Sequence, residues 1–158
     1  MKKVFLNLLF VLLMLIAPVN ADVFNEADIQ EVVSKLDNLA TFNPYNFFNK
    51  SEIIGYRRDQ FEMSTNQYRT TVIAVKDRIN KNTQELYVFQ DDQQMPEDTK
   101  NVQMGRIYQD INFALAELDT STYNYINNLR WFMPTLTYQR YYKSFLNYYQ
   151  QLNIKNYH

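Results

Sequence analysis

Residues 51–90 run SEIIGYRRDQFEMSTNQYRTTVIAVKDRINKNTQELYVFQ, with one glycine and no proline. Large apolar residues recur here at heptad spacing, and a second set follows four positions later. The first set is Ile54, Phe61, Tyr68, Val75 and Phe89, and the second is Val72, Ile79 and Leu86. Such spacing places both sets on one helix face, and forty residues at about 1.5 Å each span roughly 60 Å. The pattern predicts one long helix that is bent, broken or the spine of an elongated bundle. Arg58, Thr65 and Asn82 interrupt its apolar face, and Gly55 is its weakest point.

The segment before this stretch predicts a shorter helix. An apolar stripe with spacings of three and four begins at Ile29. Asn25 is placed to cap the first turn, and Phe24 to pack against Ile29 as a hydrophobic staple. We expect the helix to end near Thr41, because Pro44 disfavours helical geometry in the residue before it.

Two more helices are predicted after the long one. Pro96, within the acidic loop DDQQMPED, opens the third helix. Its apolar stripe continues to Phe132 and changes phase at residues 119–122, where poor helix formers make us expect a kink or a division into two helices. Pro134 ends this segment and begins the last helix, which runs to Leu152 with aromatic residues at spacings of three and four.

These patterns together predict the fold class. No alternating strand pattern and no hairpin turn signal occur along the chain. There is no cysteine, so no disulfide can form. The sequence therefore predicts an all-α protein, an elongated up-and-down bundle of about four helices without disulfides.

The amino terminus has the pattern of a secretory signal peptide. Two lysines precede residues 4–16, which are apolar except for one asparagine, and Val19 and Ala21 are small residues that suit a signal peptidase. The alternative is a membrane anchor, but 13 residues are short against the ~20 that span a bilayer. We expect residues 1–21 to be a cleaved signal peptide. Residues 22–158 would then be a single α-helical domain, exported to the periplasm or secreted, with no stable membrane span after cleavage.

Composition excludes most site chemistry. The absence of cysteine excludes thiolate metal sites and cysteine nucleophiles, and the one histidine, His158, is the last residue. The acidic loop lacks the residue order of an EF-hand. We therefore expect no cofactor, no metal site and no catalytic residue. Four glutamates on predicted helices could serve only a glycosidase-type mechanism: Glu52, Glu62, Glu85 and Glu117.

Charge and aromatic residues are divided unevenly along the chain. Residues 22–119 carry 17 acidic and 10 basic residues, whereas residues 120–158 carry four basic residues, no acidic residue and 11 of the 25 aromatic residues. One interpretation is structural, with a basic last helix docked on an acidic body. The other is that some of these rings are exposed for binding, since Trp, Tyr and Arg dominate interface energetics. The candidate partner-binding residues are Arg130, Trp131, Arg140, Tyr142, Lys143 and Tyr149.

These features favour a non-enzymatic exported bundle that binds a protein partner in the envelope or extracellular space. Its role would be that of an inhibitor, adaptor, chaperone or virulence factor. Nucleic acid is not expected as a partner, because four cations are a sparse footprint. The alternative function is binding of envelope glycan or cell wall through the C-terminal basic and aromatic segment. A cell-wall hydrolase that uses a helical carboxylate is the third hypothesis.

Overall fold

The computed structural model describes residues 26–154, and these form four α-helices. They are α1 (Glu26–Thr41), α2 (Gly55–Asp91), α3 (Glu97–Asn128) and α4 (Thr135–Gln151), with short 3-10 helices at Pro44–Asn46, Lys50–Glu52 and Leu129–Trp131. No β-strand occurs within this range. The predicted all-α bundle with a long second helix is confirmed. With 37 residues, α2 is roughly 55 Å long.

The helices α2 and α3 form an antiparallel hairpin along the whole bundle. Thr65 Oγ1 lies 2.9 Å from the Tyr125 hydroxyl, and the Tyr68 hydroxyl lies 2.8 Å from Thr122 Oγ1. The rings of Tyr68 and Tyr125 stack with their centroids 4.5 Å apart. This register sets the first turn of α2 level with the end of α3, and the last turn of α2 level with the start of α3.

The two shorter helices cover different halves of this hairpin. In α1, the Asp37 carboxylate accepts a hydrogen bond from Lys76 Nζ at 2.6 Å, so α1 lies against the half that ends in the α2–α3 turn. In α4, the Tyr141 hydroxyl lies 2.8 Å from that of Tyr125, so α4 lies against the other half. Among residues 26–154, only α2 and α3 run from one end of the bundle to the other.

The ends of α1 and α4 meet at an aromatic cluster in the middle of the bundle. The Phe145 ring centroid lies 5.0 Å from that of Phe42 and 5.6 Å from that of Tyr125. The Tyr148 hydroxyl donates to the Asn38 carbonyl at 3.1 Å. Tilted and edge-on ring pairs at these distances stabilise a core beyond their burial alone, so much of the aromatic stripe of α4 is core.

The three polar residues that interrupt the apolar face of α2 each have a partner. Arg58 Nε donates to the Ile53 carbonyl at 2.9 Å, and Asn82 Nδ2 donates to the Asp110 carboxylate at 2.6 Å. Thr65 is buried and bonded across the hairpin. Because a buried polar group is costly only when it lacks a hydrogen bond, these residues do not break the helix.

Two predictions about helix boundaries need correction. Gly55 does not weaken the interior of α2 but begins it, with a φ of +54° that follows the extended residue Ile54. The chain also does not divide at residues 119–122, because α3 continues through them. Thr122 is buried there, and its hydroxyl donates to the Leu118 carbonyl at 2.8 Å, so its polar group is satisfied within the helix.

The remaining helix ends agree closely with prediction. α1 ends at Thr41, while α3 and α4 each begin one residue after the predicted proline. The predicted signal peptide, the Asn25 cap and the Phe24 staple lie outside the described residues. Across residues 26–154, no helix combines the length and the apolar character needed to cross a bilayer.

Candidate partner-binding surface

The connection between α3 and α4 exposes two large apolar side chains at one end of the bundle. Leu129 and Met133 are buried and anchor this connection, and Pro134 separates its 3-10 helix from α4. Trp131, which lies between these two anchors in the sequence, is 70% exposed, and Leu136, which follows them, is 74% exposed. Large apolar residues that cluster in water mark binding sites more often than isolated ones do.

The exposed Trp131 ring carries a cation. The guanidinium carbon of Arg130 lies 4.7 Å from the ring centroid, within the range of a cation–π interaction. This contact presents an indole and a guanidinium as one unit. Trp and Arg are among the residue types that contribute most to protein interfaces.

The connection between α1 and α2 adds three more exposed side chains. Ile54 and Tyr56 are 69% and 73% exposed, and Arg57 is exposed beside them. The antiparallel register of the hairpin places the first turn of α2 at the same end as the end of α3. Two connections that are far apart in sequence therefore lie at the same end of the bundle.

The carboxylate of Glu52 ties these two connections together. It accepts a hydrogen bond from Thr137 Oγ1 at 2.8 Å and pairs with the Arg140 guanidinium. These contacts hold the pKa of Glu52 below its ordinary value, and the hydrogen bond from Thr137 contributes most. Thr137 directly follows Leu136, and Ile54 is two residues after Glu52, so the exposed residues of both connections are held at one end.

We call this surface the basic end. It consists of Ile54, Tyr56, Arg57, Arg130, Trp131 and Leu136. The sequence pattern predicts only Arg130 and Trp131 among these six residues. It assigns Ile54 to the apolar face of α2, although Ile54 precedes that helix. The exposure of Leu136 is predictable from the sequence, because Leu136 falls outside the aromatic stripe of α4.

Three other predicted binding residues lie along the outer surface of α4. Arg140 and Lys143 are exposed, and Arg140 is engaged by Glu52. Tyr142 is half-buried, with its ring centroid 5.9 Å from that of Tyr138. These residues adjoin the basic end, and Tyr142 is less exposed than Trp131 and Leu136 are.

The expectation that Tyr149 is exposed is wrong. Tyr149 is 2% exposed, and its hydroxyl donates to the Asp119 carboxylate at 3.2 Å. Burial raises the pKa of the Tyr149 phenol. The physical reason is helical spacing: Tyr149 follows Tyr141 and Phe145 at steps of four, so all three share the buried face. Tyr149 is a core residue.

Charge is separated along the long axis of the bundle. Within the described residues, Arg57, Arg130 and Lys143 take part in no ion pair. The acidic loop at residues 91–98 lies at the opposite end of the hairpin. The docking of α4 pairs only Arg140 among its cations, and exposed Asp59 near the start of α2 offsets one of the three free cations, so a smaller net positive charge remains at this end.

Two glutamates considered for hydrolysis are held as carboxylates. The Tyr45 hydroxyl donates to Glu62 at 2.7 Å, and Lys50 Nζ lies 3.3 Å from the same carboxylate. These contacts lower the pKa of Glu62, and the hydrogen bond from Tyr45 contributes most. The pKa of Glu52 is also lowered, by the contacts described above. A general acid in glycoside hydrolysis requires a raised pKa, so neither residue has the property of such an acid.

A shallow polar depression of about 230 Å³ lies between α2 and α3. Its lining combines uncharged amides and hydroxyls with the two stacked tyrosines: Ser64, Gln67, Tyr68, Thr71, Ser121, Asn124, Tyr125 and Asn128. It holds no group that titrates near neutral pH. Among residues 26–154, no cluster of three or more His, Cys, Asp or Glu residues could hold a metal ion.

No family model, characterised protein or solved structure matches this chain.

Proposed function

We propose that this chain is an exported, non-enzymatic helical bundle that binds a protein partner through its basic end. The observation that supports this proposal is the grouping of Trp131, Leu136 and Tyr56, each at least 70% exposed, with Arg57 and Arg130. Covering apolar surface gains about 25 cal/mol per Å². Interfaces concentrate this gain in a few aromatic and arginine residues.

The basic end is preorganised for binding. Buried Leu129 and Met133 fix the α3–α4 connection, and Glu52 fixes the α1–α2 connection to α4. Arg130 is already in contact with the Trp131 ring. A surface whose side chains are held before binding loses less conformational entropy when a partner covers it. Such a surface suits an inhibitor or adaptor, whose function is the contact itself.

A pull-down from the envelope fraction and culture medium of the source organism tests this proposal. The bait is the wild-type domain or the double variant Trp131→Ala with Leu136→Asp. Phe113→Ala is the matched control, because Phe113 is 59% exposed on α3, away from both ends. We expect one protein to be recovered with the wild type and the control, and at least about tenfold less with the double variant. Equal recovery, with all three baits, of a protein other than this chain itself would contradict the assignment of this surface.

Export has a separate test. The full-length chain, expressed with its first 21 residues in a bacterial host, should accumulate outside the cytoplasm. N-terminal sequencing of that product should begin at Asp22. A product that keeps Met1 and stays in the cytoplasm would refute export without bearing on the binding surface.

A second candidate function is binding of an envelope glycan. Its support is the same Trp131 ring, which is open to solvent and can stack on the apolar face of a sugar. Co-sedimentation with purified cell-wall sacculi distinguishes the two functions. Sedimentation of the wild type but not of Trp131→Ala favours the glycan. A wild-type protein that stays in the supernatant favours the protein partner instead.

A further inference from the structure

The end of the bundle opposite the basic end carries unpaired acidic side chains. Asp91 and Asp92 lie where α2 ends, and Glu97 and Asp98 lie in the first turn of α3. None of the four takes part in an ion pair within the described residues. Glu97 and Asp98 are favoured at a helix start, where the positive end of the helix dipole lies.

Two exposed aliphatic residues accompany these acids. Val88 on α2 is 67% exposed and Val102 on α3 is 69% exposed. The antiparallel register places them at about the same level of the hairpin, one turn from the acidic loop. We call this surface the acidic end, which consists of Val88, Asp91, Asp92, Glu97, Asp98 and Val102. It combines aliphatic and charged groups, as the basic end does, but with the opposite charge.

The two ends cannot neutralise each other within one molecule. They are separated by the length of α2, roughly 55 Å. Charges in water are screened over about 8 Å at physiological ionic strength. The fields of the two ends are therefore independent, and each can be neutralised only by ions or by another molecule.

We propose that the partner of the basic end is the acidic end of a second copy of this chain. This inference rests on the proposed function and names the partner of that same surface. Contact between two basic ends would bring Arg57 and Arg130 of both copies together, which is repulsive. Head-to-tail contact instead places these cations against carboxylates and the valines of one copy against Trp131 and Leu136 of the next.

A head-to-tail contact uses a different surface on each copy, so it does not close. Each bound copy leaves one basic end and one acidic end free, and the product is an open linear chain of bundles. The end of three packed helices, each about 10 Å wide, offers roughly 300 Å² per copy. Stable pairs bury about 800 Å² per partner. The association is therefore weak, reversible and sensitive to salt.

Sedimentation velocity of the purified mature domain over a concentration series tests the proposal. At about 10 mM salt, where screening extends roughly 30 Å, the average mass should rise with concentration and pass beyond the dimer. At about 1 M salt, where screening falls to roughly 3 Å, the protein should be monomeric. Trp131 is the only tryptophan, so its emission should shift to the blue as the chain forms and return when salt is added.

Complementation between two variants tests the head-to-tail arrangement itself. The basic-end variant carries Arg130→Gln and Leu136→Gln, and the acidic-end variant carries Asp91→Asn and Asp92→Asn, so that neither altered end gains a charge that could attract the other. Each should associate at least about tenfold more weakly than the wild type. An equimolar mixture should form dimers and nothing larger, because each variant supplies one intact end. Phe113→Ser is the control and should associate like the wild type, and circular dichroism confirms that each variant is folded.

Several results would overturn the proposal. These are a wild type that stays monomeric at low salt, a wild type that stops at the dimer, and an acidic-end variant that associates normally. A blue shift of Trp131 seen only with phosphatidylglycerol vesicles would also overturn it, in favour of a lipid surface. If the wild type is monomeric but the basic end still recovers a protein in the pull-down, only the head-to-tail proposal fails. If basic-end substitutions affect neither assay, the proposed function fails as well.

Discussion

The hydroxyl oxygens of Tyr125 and Tyr141 lie 2.8 Å apart in the core and join α3 to α4. The Tyr125 hydroxyl also lies 2.9 Å from Thr65 Oγ1 on α2. Three helices therefore meet at one chain of hydroxyl groups. Because a buried hydroxyl without a partner is costly, this chain favours the one alignment of the three helices in which all its members are paired.

Tyr125→Phe should lower the free energy of unfolding by about 1–3 kcal/mol, because the hydroxyls of Thr65 and Tyr141 lose their common partner. Urea denaturation followed by far-UV circular dichroism measures this change. Tyr56→Phe is the control, since it removes a hydroxyl from a 73% exposed residue, and should change stability by less than about 0.5 kcal/mol. Equal midpoints for both variants would show that the hydroxyl chain does not stabilise the fold.

The fold should lose stability at alkaline pH. Burial raises the pKa of Tyr125 to about 12 and also raises that of Tyr141. The folded state therefore favours the neutral phenols. This stabilisation is complete below the ordinary pKa of about 10 and is lost as pH rises through the folded pKa.

Urea midpoints at about pH 9 and pH 11.5 measure this loss, to which Tyr125 should contribute about 2 kcal/mol. Tyr125→Phe should lose correspondingly less stability over the same range, because it has no phenol at that position. The prediction fails if the variant and the wild type lose the same amount.

Asp110 should make the fold sensitive to acid. Its carboxylate pairs with the Arg78 guanidinium and accepts a hydrogen bond from Asn82. These contacts lower the pKa of Asp110, and the hydrogen bond from Arg78 contributes most. The stabilisation is present above the ordinary pKa of about 3.9 and is lost as pH falls through the lowered value.

Asp110→Asn should therefore cost about 1 kcal/mol at neutral pH, since the pair is partly exposed to solvent. The variant should also lose less stability than the wild type between about pH 5 and pH 2. Asp59→Asn is the control, because Asp59 is exposed and takes part in no ion pair within residues 26–154. Identical acid transitions for Asp110→Asn and the wild type would contradict this role.

Tyr149→Ala should destabilise the fold far more than Tyr142→Ala. Tyr149 is buried and Tyr142 is half-buried. Truncation of a buried aromatic residue costs about 3–5 kcal/mol, whereas a partly exposed one should cost about 1 kcal/mol. Thermal and urea unfolding of both variants provide the comparison. A small effect of Tyr149→Ala would return that residue to the set of binding candidates.

The indole of Trp131 should be almost as accessible to a collisional quencher in the folded protein as in urea. The reason is its 70% exposure, and its emission is unambiguous because it is the only tryptophan. Acrylamide quenching at low protein concentration and high salt measures accessibility without interference from association. Strong protection under those conditions would show that the α3–α4 connection folds over the ring.

Most of the fold could be predicted from the sequence because helical periodicity is a local property. The heptad positions of α2 locate Phe61, Tyr68 and Ile79, all of which are buried. The interruptions at Thr65 and Asn82 could not be interpreted in the same way. Their partners lie on α3, and the sequence alone does not specify the register between two helices.

The basic end could be predicted only in part, because it is assembled from distant segments. The hydrogen bond from Thr137 to Glu52 joins residues 85 positions apart, and no local pattern predicts that contact. The burial of Tyr149 escapes sequence analysis for a related reason. The aromatic arc of α4 is wide, and the Tyr149 hydroxyl donates to Asp119 on α3, 30 positions away, so the width of the buried arc depends on how α4 docks on α3.

The separate covering of the hairpin by α1 and α4 has a consequence for how the molecule opens. Within the described residues, the two short helices make contact where their ends meet, around Phe42, Phe145 and Tyr148. We therefore expect that either one can detach while α2, α3 and the other stay together. Backbone amides in α1 and α4 should then exchange with solvent deuterium as two distinct cooperative units, while the centres of α2 and α3 exchange only on global unfolding.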